Sequence, residues 1–185
     1  MENYEMSDKK KEVIEATWQY LLKTGIGNAS VRELLRDTGI GQSTLYNYFK
    51  NKDEVWDSAG KYGISKVVDA LFKYTIHCVD NVDMYFETFL DEVEKYKYEL
   101  RLAIQITTSP IFGDRMREKA RDFRLWYDNY AEKITKIFGC SSLQAEVFIY
   151  SIISYVIDYV IWDDRDKTQM LLDNLRERIK EKLDI

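Results

Sequence analysis

Short polar side chains and two lysines are concentrated in one stretch of the sequence, residues 42–52. On a helical wheel drawn from Gln42 to Phe49, Leu45 and Phe49 share one side and predict a buried seam. The groups that could donate or accept hydrogen bonds or meet an anion are Gln42, Ser43, Thr44, Tyr46, Asn47, Tyr48, Lys50 and Lys52. A helix of this kind could enter the major groove of DNA, where base edges and phosphates offer matching partners.

The helical wheel places these groups on different sides of the helix. Ser43, Thr44 and Asn47 lie opposite the seam, where short side chains can approach base edges. The two tyrosines rim this arc, and the two lysines follow at the start of the next helix, where they could meet phosphate. No acidic residue occurs from position 39 until Asp53, which fits a surface facing the negative DNA backbone. A surface helix with two half-buried tyrosines would give the same wheel, so periodicity alone leaves both interpretations open.

The elements that must position this strip are short helices. Ser7 or Asp8 can cap a first helix, which Gly25 and Gly27 end. Ser30 begins a second helix, and the spacing Ser30-x-x-Glu33 predicts a capping box. Gly39 suits the turn before the third helix because glycine adopts positive φ without steric cost. The second and third helices therefore have the proportions of a helix-turn-helix unit.

The rest of the chain has helical periodicity and no alternating strand pattern. Asn51 caps the predicted fourth helix, and five more follow: after Asp80-Asn81, at about 98–108, at 114–138, after a Ser141-x-x-Gln144 capping box, and at the C-terminus. We therefore expect an all-α protein. Residues 1–52 form the predicted N-terminal three-helix helix-turn-helix DNA-binding domain, and residues 53–185 form a larger helical ligand-binding and dimerisation domain.

Three segments resemble the TetR family of bacterial transcriptional regulators: SVRELL at 30–35, TGI at 38–40 and TLYNYFKNKDEV at 44–55. The last, at the junction of the third and fourth helices, is the most specific. The strong resemblance covers about residues 9–56, and the remainder resembles the family only in length and helical character.

The resemblance implies roles for individual positions. Gln42, Ser43, Thr44 and Tyr46 look like groove or base-edge contacts. Tyr48, Lys52 and Ser30 match family positions that contact phosphate. Two departures are Gly41, where a Ser or Thr cap is common, and Leu35, where a small residue is common. The first departure removes one hydroxyl contact, although glycine remains an acceptable helix cap.

Composition excludes several other classes. The chain of 185 residues carries a net charge of −5, but residues 1–52 hold eight basic and seven acidic residues, whereas the remainder holds 19 and 25. The acid therefore lies away from the predicted DNA-binding strip. The two cysteines and one histidine have no metal-site spacing, and no nucleophile elbow or Gly-rich phosphate loop is present. We expect neither an enzyme nor a cofactor or metal, and a cytoplasmic location.

The C-terminal part predicts a homodimer. The most apolar run, residues 147–162, is shorter than a membrane span and contains Asp158, so we interpret it as a buried helix and expect no membrane. It is apolar nearly all round and needs burial on more than one side. With the last helix it could form a four-helix interface between two subunits, as the family resemblance implies, although packing within one subunit remains the alternative.

A double-stranded DNA operator and a small-molecule inducer are the expected partners. Aromatic residues in the middle helices would allow an apolar cavity, with predicted ligand contacts at Phe89, Trp126, Tyr130, Tyr155 and Asp158. Each aromatic residue could equally belong to the core. Asp158 could pair with an arginine or a tyrosine, or meet a cationic ligand. The alternative function is a DNA-binding protein of the same fold whose second domain binds a protein partner.

Overall fold

The computed structural model describes residues 7–110 and 127–183, and within these ranges it contains helices and turns but no strand. The helices are α1 (Asp8–Thr24), α2 (Val31–Thr38), α3 (Gln42–Tyr48), α4 (Lys52–His77), α5 (Val82–Glu94), α6 (Lys97–Thr108), α7 (described over residues 127–138), α8 (Ser142–Trp162) and α9 (Arg165–Leu183). The all-α prediction is confirmed. The predicted start of the seventh helix at Asp114 lies outside the described residues.

Side-chain caps begin several of these helices at the predicted positions. Ser7 accepts a hydrogen bond from the N–H of Lys10, and Asn51 and Asn81 accept the equivalent bonds of α4 and α5. At α8 both halves of the predicted capping box are present between Ser141 and Gln144. These bonds satisfy backbone donors that the first helical turn leaves without partners.

The chain divides into two compact units. The first comprises the described parts of Met1–Val67 and Leu102–Met116, and the second those of Val68–Arg101 and Arg117–Ile185. The first unit therefore takes in the first part of α4 beyond residue 52. The functional division at that residue stays a prediction.

Within the first unit, α1 packs closely against α4. Trp18 is buried, and it lies against Gly63 so closely that a Cβ at that glycine would stand 2.1 Å from the indole Cε2. The Tyr62 hydroxyl donates to the Glu15 carboxylate at 2.8 Å, and this hydrogen bond lowers the pKa of Glu15. The two helices are thus held together by the close packing of Trp18 on Gly63 and by the hydrogen bond between Tyr62 and Glu15.

Within the second unit, the side chain of Lys97 ties α5, α6 and α8 together. Its ammonium forms ion pairs with Glu94, at 3.1 Å, and with Asp163, and it lies over the ring of Tyr159. The hydrogen bond with Asp163 is the main cause that raises the pKa of Lys97. Asp163 has φ 59°, a left-handed conformation, and terminates α8. Lys97 is thus a buried cation whose charge is compensated by two carboxylates.

The helix α8 is less buried than its sequence predicts. By length and composition alone it could cross a membrane, and only 28% of its most apolar 18-residue window is buried. The buried side includes Ala145, Val156, Tyr159 and Val160. Another side of this apolar helix is therefore exposed in the single chain.

Candidate nucleic-acid interface

The helix α3 is held in place by its predicted seam. Leu45 and Phe49 are buried, and Lys10 of α1 places its ammonium 5.3 Å from the Phe49 ring centroid. Gly39 ends α2 with φ 68°, in the left-handed region that glycine favours, and Gly41 begins α3 without a side-chain cap. Sequence and structure agree on a helix-turn-helix with one side of α3 fixed inward.

The other side of α3 is exposed. Gln42, Ser43 and Asn47 are exposed, and 42% of Tyr46 is accessible to solvent. Thr44 and Tyr48 are half-buried and border this strip. The structure therefore places all six predicted groups of α3 along one continuous surface, and their contacts with DNA remain a prediction.

Lys50 and Lys52 are both exposed, and neither forms an ion pair with a described residue. Two backbone N–H groups near the start of α4 are already paired with side chains. The N–H of Lys50 donates to the Glu54 carboxylate at 2.7 Å, and the N–H of Glu54 donates to the Asn51 side chain at 2.9 Å. The N–H groups of Lys50 and Glu54 are thus taken by side chains, while the ammonium groups of Lys50 and Lys52 remain available to phosphate.

Ser30 begins α2 as predicted, but the capping box is only half formed. Its hydroxyl accepts from the N–H of Glu33 at 3.2 Å. The reciprocal bond is replaced by Tyr20 of α1, whose hydroxyl accepts from the N–H of Ser30 at 3.0 Å and lies 3.4 Å from the Glu33 carboxylate. Tyr20 thus fixes the beginning of α2, and the proton of the Ser30 hydroxyl remains available for donation. A contact between positions 20 and 30 has no local sequence signal.

Replacing Tyr20 by phenylalanine should loosen the beginning of α2. We expect a loss of about 1 kcal/mol in the free energy of unfolding, because the Ser30 N–H loses its acceptor while the ring is kept. Hydrogen exchange of the Ser30 amide should accelerate, and this is the decisive measurement. Tyr62→Phe is the control, since it removes a hydroxyl that joins α1 to α4 and should leave that amide protected. Unchanged exchange in Tyr20→Phe would contradict the assigned role.

The predicted ligand contacts in the second unit do not converge on one site. Phe89 is part of the core, and Tyr130 stacks on Phe72 with ring centroids 3.7 Å apart. Tyr155 and Asp158 are half-buried, and no arginine or tyrosine partner of Asp158 is found among the described residues. Trp126 lies outside the described residues. A cavity of about 290 Å³ does exist in this unit, but none of the four described residues lines it.

The exposed residues of α8 form a stripe. Leu143, Val147, Tyr150, Ser154, Ile157 and Ile161 are exposed, and they recur at intervals of four and three residues. This spacing places them on one side of the helix. We call these six residues the α8 stripe. Its apolar character and its exposure in a single chain are what a surface that binds a partner would show.

Comparisons with known proteins show which proteins the helix-turn-helix region resembles. Residues 13–59, which include most of α1, all of α2 and α3, and the start of α4, match the description of bacterial regulatory proteins of the tetR family. Over 63 residues the chain is 33% identical to the HTH-type transcriptional regulator PksA of Bacillus subtilis (strain 168). The match covers 34% of this chain and 31% of that relative, so it spans about a third of the relative's length.

A solved structure extends the likeness beyond the first unit. The putative fatty acid metabolism regulator of Clostridium perfringens superposes with a TM-score of 0.51 at 18% identity, over 89% of this chain and 94% of that one. At this identity the match establishes the fold alone. The helix-turn-helix and its sequence match agree, and residues 13–59 of the chain match the TetR family of bacterial regulatory proteins.

Proposed function

We propose that this protein is a dimeric, sequence-specific DNA-binding regulator of transcription that acts in the cytoplasm, most simply as a repressor released from a palindromic operator by a small molecule. The observation that carries the proposal is the α3 surface. Gln42, Ser43 and Asn47 are exposed on a helix whose other side is anchored by buried Leu45 and Phe49. A polar strip on a rigidly held helix is what direct reading of base edges requires.

The neighbouring groups would supply the phosphate contacts. Lys50 and Lys52 follow α3 directly and have no ion pair with a described residue, so their charges are available to the DNA backbone. The Ser30 hydroxyl retains its proton for donation, and Tyr48 borders the strip. Contacts of this kind fix the orientation of α3, while its polar side chains determine which sequence is preferred.

The α8 stripe supports the dimer. One recognition helix reads few base pairs, whereas a two-fold dimer reads two half-sites about one or more helical turns apart. A two-fold axis places the same surface of each subunit against itself, so the stripe of one α8 would pack against that of the other. Apolar residues at three- and four-residue spacing are suited to such helix–helix packing.

The cavity in the second unit supports control by a small molecule. It is near the lower end of the volumes of ligand sites, which run from roughly 300 to 1,000 Å³. The helix α4 carries Lys52 at its start and contributes Thr75 to the cavity near its other end, where Cys78 and Val79, which follow the helix, also line it. A ligand that prefers one position of α4 would change operator affinity by its difference in affinity for the two states.

Selection of bound sequences from random double-stranded DNA tests this function. We expect an inverted repeat whose two halves are separated by about one helical turn or more, because two copies of α3 must reach the same side of the duplex. Enrichment of a single, non-repeated half-site would contradict the dimer. The absence of any enrichment at low and moderate salt would contradict sequence-specific binding altogether.

Two substitutions should separate phosphate contact from base reading. Lys52→Ala should weaken binding to all sequences alike and reduce the dependence of log affinity on log salt by about two, one for each subunit. Thr44→Ala should change which base is preferred within the half-site. Fluorescence anisotropy across salt concentrations and repeated selection measure the two effects. Lys136→Ala, in α7, is the charge-matched control and should change neither. Equal loss of preference in both variants would overturn the assigned roles.

A further inference from the structure

The apolar cavity is one of the pockets in the second unit, and its composition constrains what it can hold. Its wall is formed by the end of α4, the beginnings of α5 and α8, the end of α7 and the last turns of α9. Phe86, Ile134, Phe138, Phe148 and Ile179 make most of this wall apolar. At about 290 Å³ the cavity has the volume of about ten water molecules in the liquid. It therefore suits a small apolar molecule better than a polar metabolite.

The charge of the wall excludes one class of ligand. Among the described lining residues Arg178 is the one with a formal charge, and no aspartate or glutamate is present. Arg178 is exposed and makes no ion pair with a described residue, so its guanidinium is available to a ligand at the edge of the cavity. A cationic ligand would meet a like charge here and no compensating carboxylate. The expected alternative of a cationic ligand paired with Asp158 finds no support, because Asp158 does not line the cavity.

Tyr85 supplies an unused hydrogen-bond donor in the same wall. The residue is 4% exposed, and its hydroxyl makes no hydrogen bond with a described residue. Thr75 lies near enough for its hydroxyl to lower the pKa of the phenol, but the two hydroxyls are not in hydrogen-bonding geometry, and the Thr75 hydroxyl donates to the Leu71 carbonyl. Thr75 and Cys78 also line the cavity. Burial raises the pKa of the Tyr85 phenol, so the hydroxyl stays protonated and able to donate. A buried donor without an acceptor is costly, and a ligand oxygen would relieve that cost.

We propose that this cavity binds small apolar carboxylic acids of about ten non-hydrogen atoms, with the apolar body against the aromatic wall and the carboxylate accepting from Tyr85 or pairing with Arg178. The inference names the ligand class of the small-molecule control proposed above and rests on that function for its biological consequence. Binding of the acid to the free protein does not depend on that function. A carboxylate can use either polar feature of the wall, whereas a neutral alcohol or ketone of the same size can use the hydroxyl alone.

Three probes with the same eight-carbon chain test the charge preference. Calorimetric titration of the DNA-free protein should give the tightest binding for octanoate, weaker binding for 1-octanol and no binding for octylamine. Octylamine binding as tightly as octanoate would overturn the proposal, and so would the failure of all three probes to bind.

Two variants test the polar contacts. Tyr85→Phe keeps the ring and should weaken octanoate by about tenfold, the effect of a lost hydrogen bond to a charged group. Arg178→Gln should reduce octanoate toward the affinity of 1-octanol and leave the alcohol unchanged. Tyr74→Phe is the matched control, because its hydroxyl is already paired with Thr88 and the residue does not line the cavity. Octanoate affinity unchanged in both Tyr85→Phe and Arg178→Gln would contradict the assigned contacts.

A chemical readout locates the probe. Cys140 is half-buried and lines the cavity, so bound octanoate should slow its alkylation by N-ethylmaleimide, which mass spectrometry can follow at that residue. Binding without protection of Cys140 would place octanoate elsewhere and overturn the proposal. Because these measurements contain no DNA, they remain informative if operator binding fails. Conversely, a protein that binds its operator but not octanoate would contradict the proposed ligand class and leave the DNA-binding function intact.

Discussion

Replacing Gly63 by alanine is expected to destabilise the first unit by about 3 kcal/mol and to abolish operator binding at physiological temperature. A Cβ at this position would stand 2.1–2.3 Å from three atoms of the Trp18 indole. Real Cβ contacts are never this short, so α1 and α4 would have to move apart or the indole would have to leave its place. Trp18 is 4% exposed and fixed in the core, so neither adjustment is free.

The expected change in stability is opposite in sign to the one that helix propensity predicts. In an open helix, glycine to alanine stabilises by about 1 kcal/mol, because alanine loses less backbone freedom on folding. Gly60 provides the matched control on the same helix, since its added Cβ would lie 3.4 Å from the Ile106 side chain, an ordinary contact. Gly60→Ala should therefore leave stability unchanged or raise it by up to about 1 kcal/mol.

Urea unfolding of both variants at one protein concentration measures the difference. Gly63→Ala should unfold at a lower midpoint than the parent protein, and Gly60→Ala should not. Adding Trp18→Leu to Gly63→Ala should recover part of the loss, because it removes the colliding ring atoms and couples the two sites. Equal midpoints for Gly60→Ala and Gly63→Ala would show that the contact between Gly63 and Trp18 does not exist in solution.

Local rules predicted the parts of this protein that depend on near neighbours in the sequence. The buried seam of Leu45 and Phe49, the positive φ of Gly39 and the capping box at Ser141 each follow from a spacing of a few residues. Such patterns are set by helix geometry and by unsatisfied backbone donors, which a single chain segment determines by itself. The α3 surface could therefore be predicted almost residue by residue.

The features that sequence reasoning missed depend on contacts between distant residues. Tyr20 reaches Ser30 across a turn, and Lys97 reaches Asp163 from another helix. The cavity was expected from aromatic content, but its wall is set by which helix ends meet, and those positions have no periodic signal. Aromatic residues such as Phe89 lie in the core, because burying a phenyl ring stabilises the folded state wherever there is space for it. Long-range packing, which local patterns do not encode, decided each case.

Introducing glutamate at Ile157 is expected to separate the proposed dimer into monomers. Ile157 lies in the middle of the α8 stripe and is 40% exposed in the single chain. In a two-fold interface the substitution enters twice, once from each subunit. A buried, unpaired carboxylate costs at least about 2 kcal/mol per copy in the centre of an interface, so the dimer should weaken by about 4 kcal/mol, or a thousandfold.

Sedimentation equilibrium across a range of protein concentrations measures this loss directly. Tyr98→Glu is the matched control, since Tyr98 is 76% exposed, belongs to α6 and lies outside the stripe. It should leave the dimer intact. Circular dichroism of both variants establishes that each remains helical, which separates loss of association from loss of folding.

Operator binding supplies the second half of this prediction. Dimer formation places two copies of α3 on one DNA site. The monomeric Ile157→Glu protein should therefore bind a single half-site with low affinity, and it should lack the additional affinity that the second copy of α3 provides. A full operator and an isolated half-site should then be bound about equally well by the variant, whereas the parent protein should strongly prefer the full operator. If Ile157→Glu remained a dimer with undiminished preference for the full site, the α8 stripe could not be the interface, and the partner surface would have to lie elsewhere.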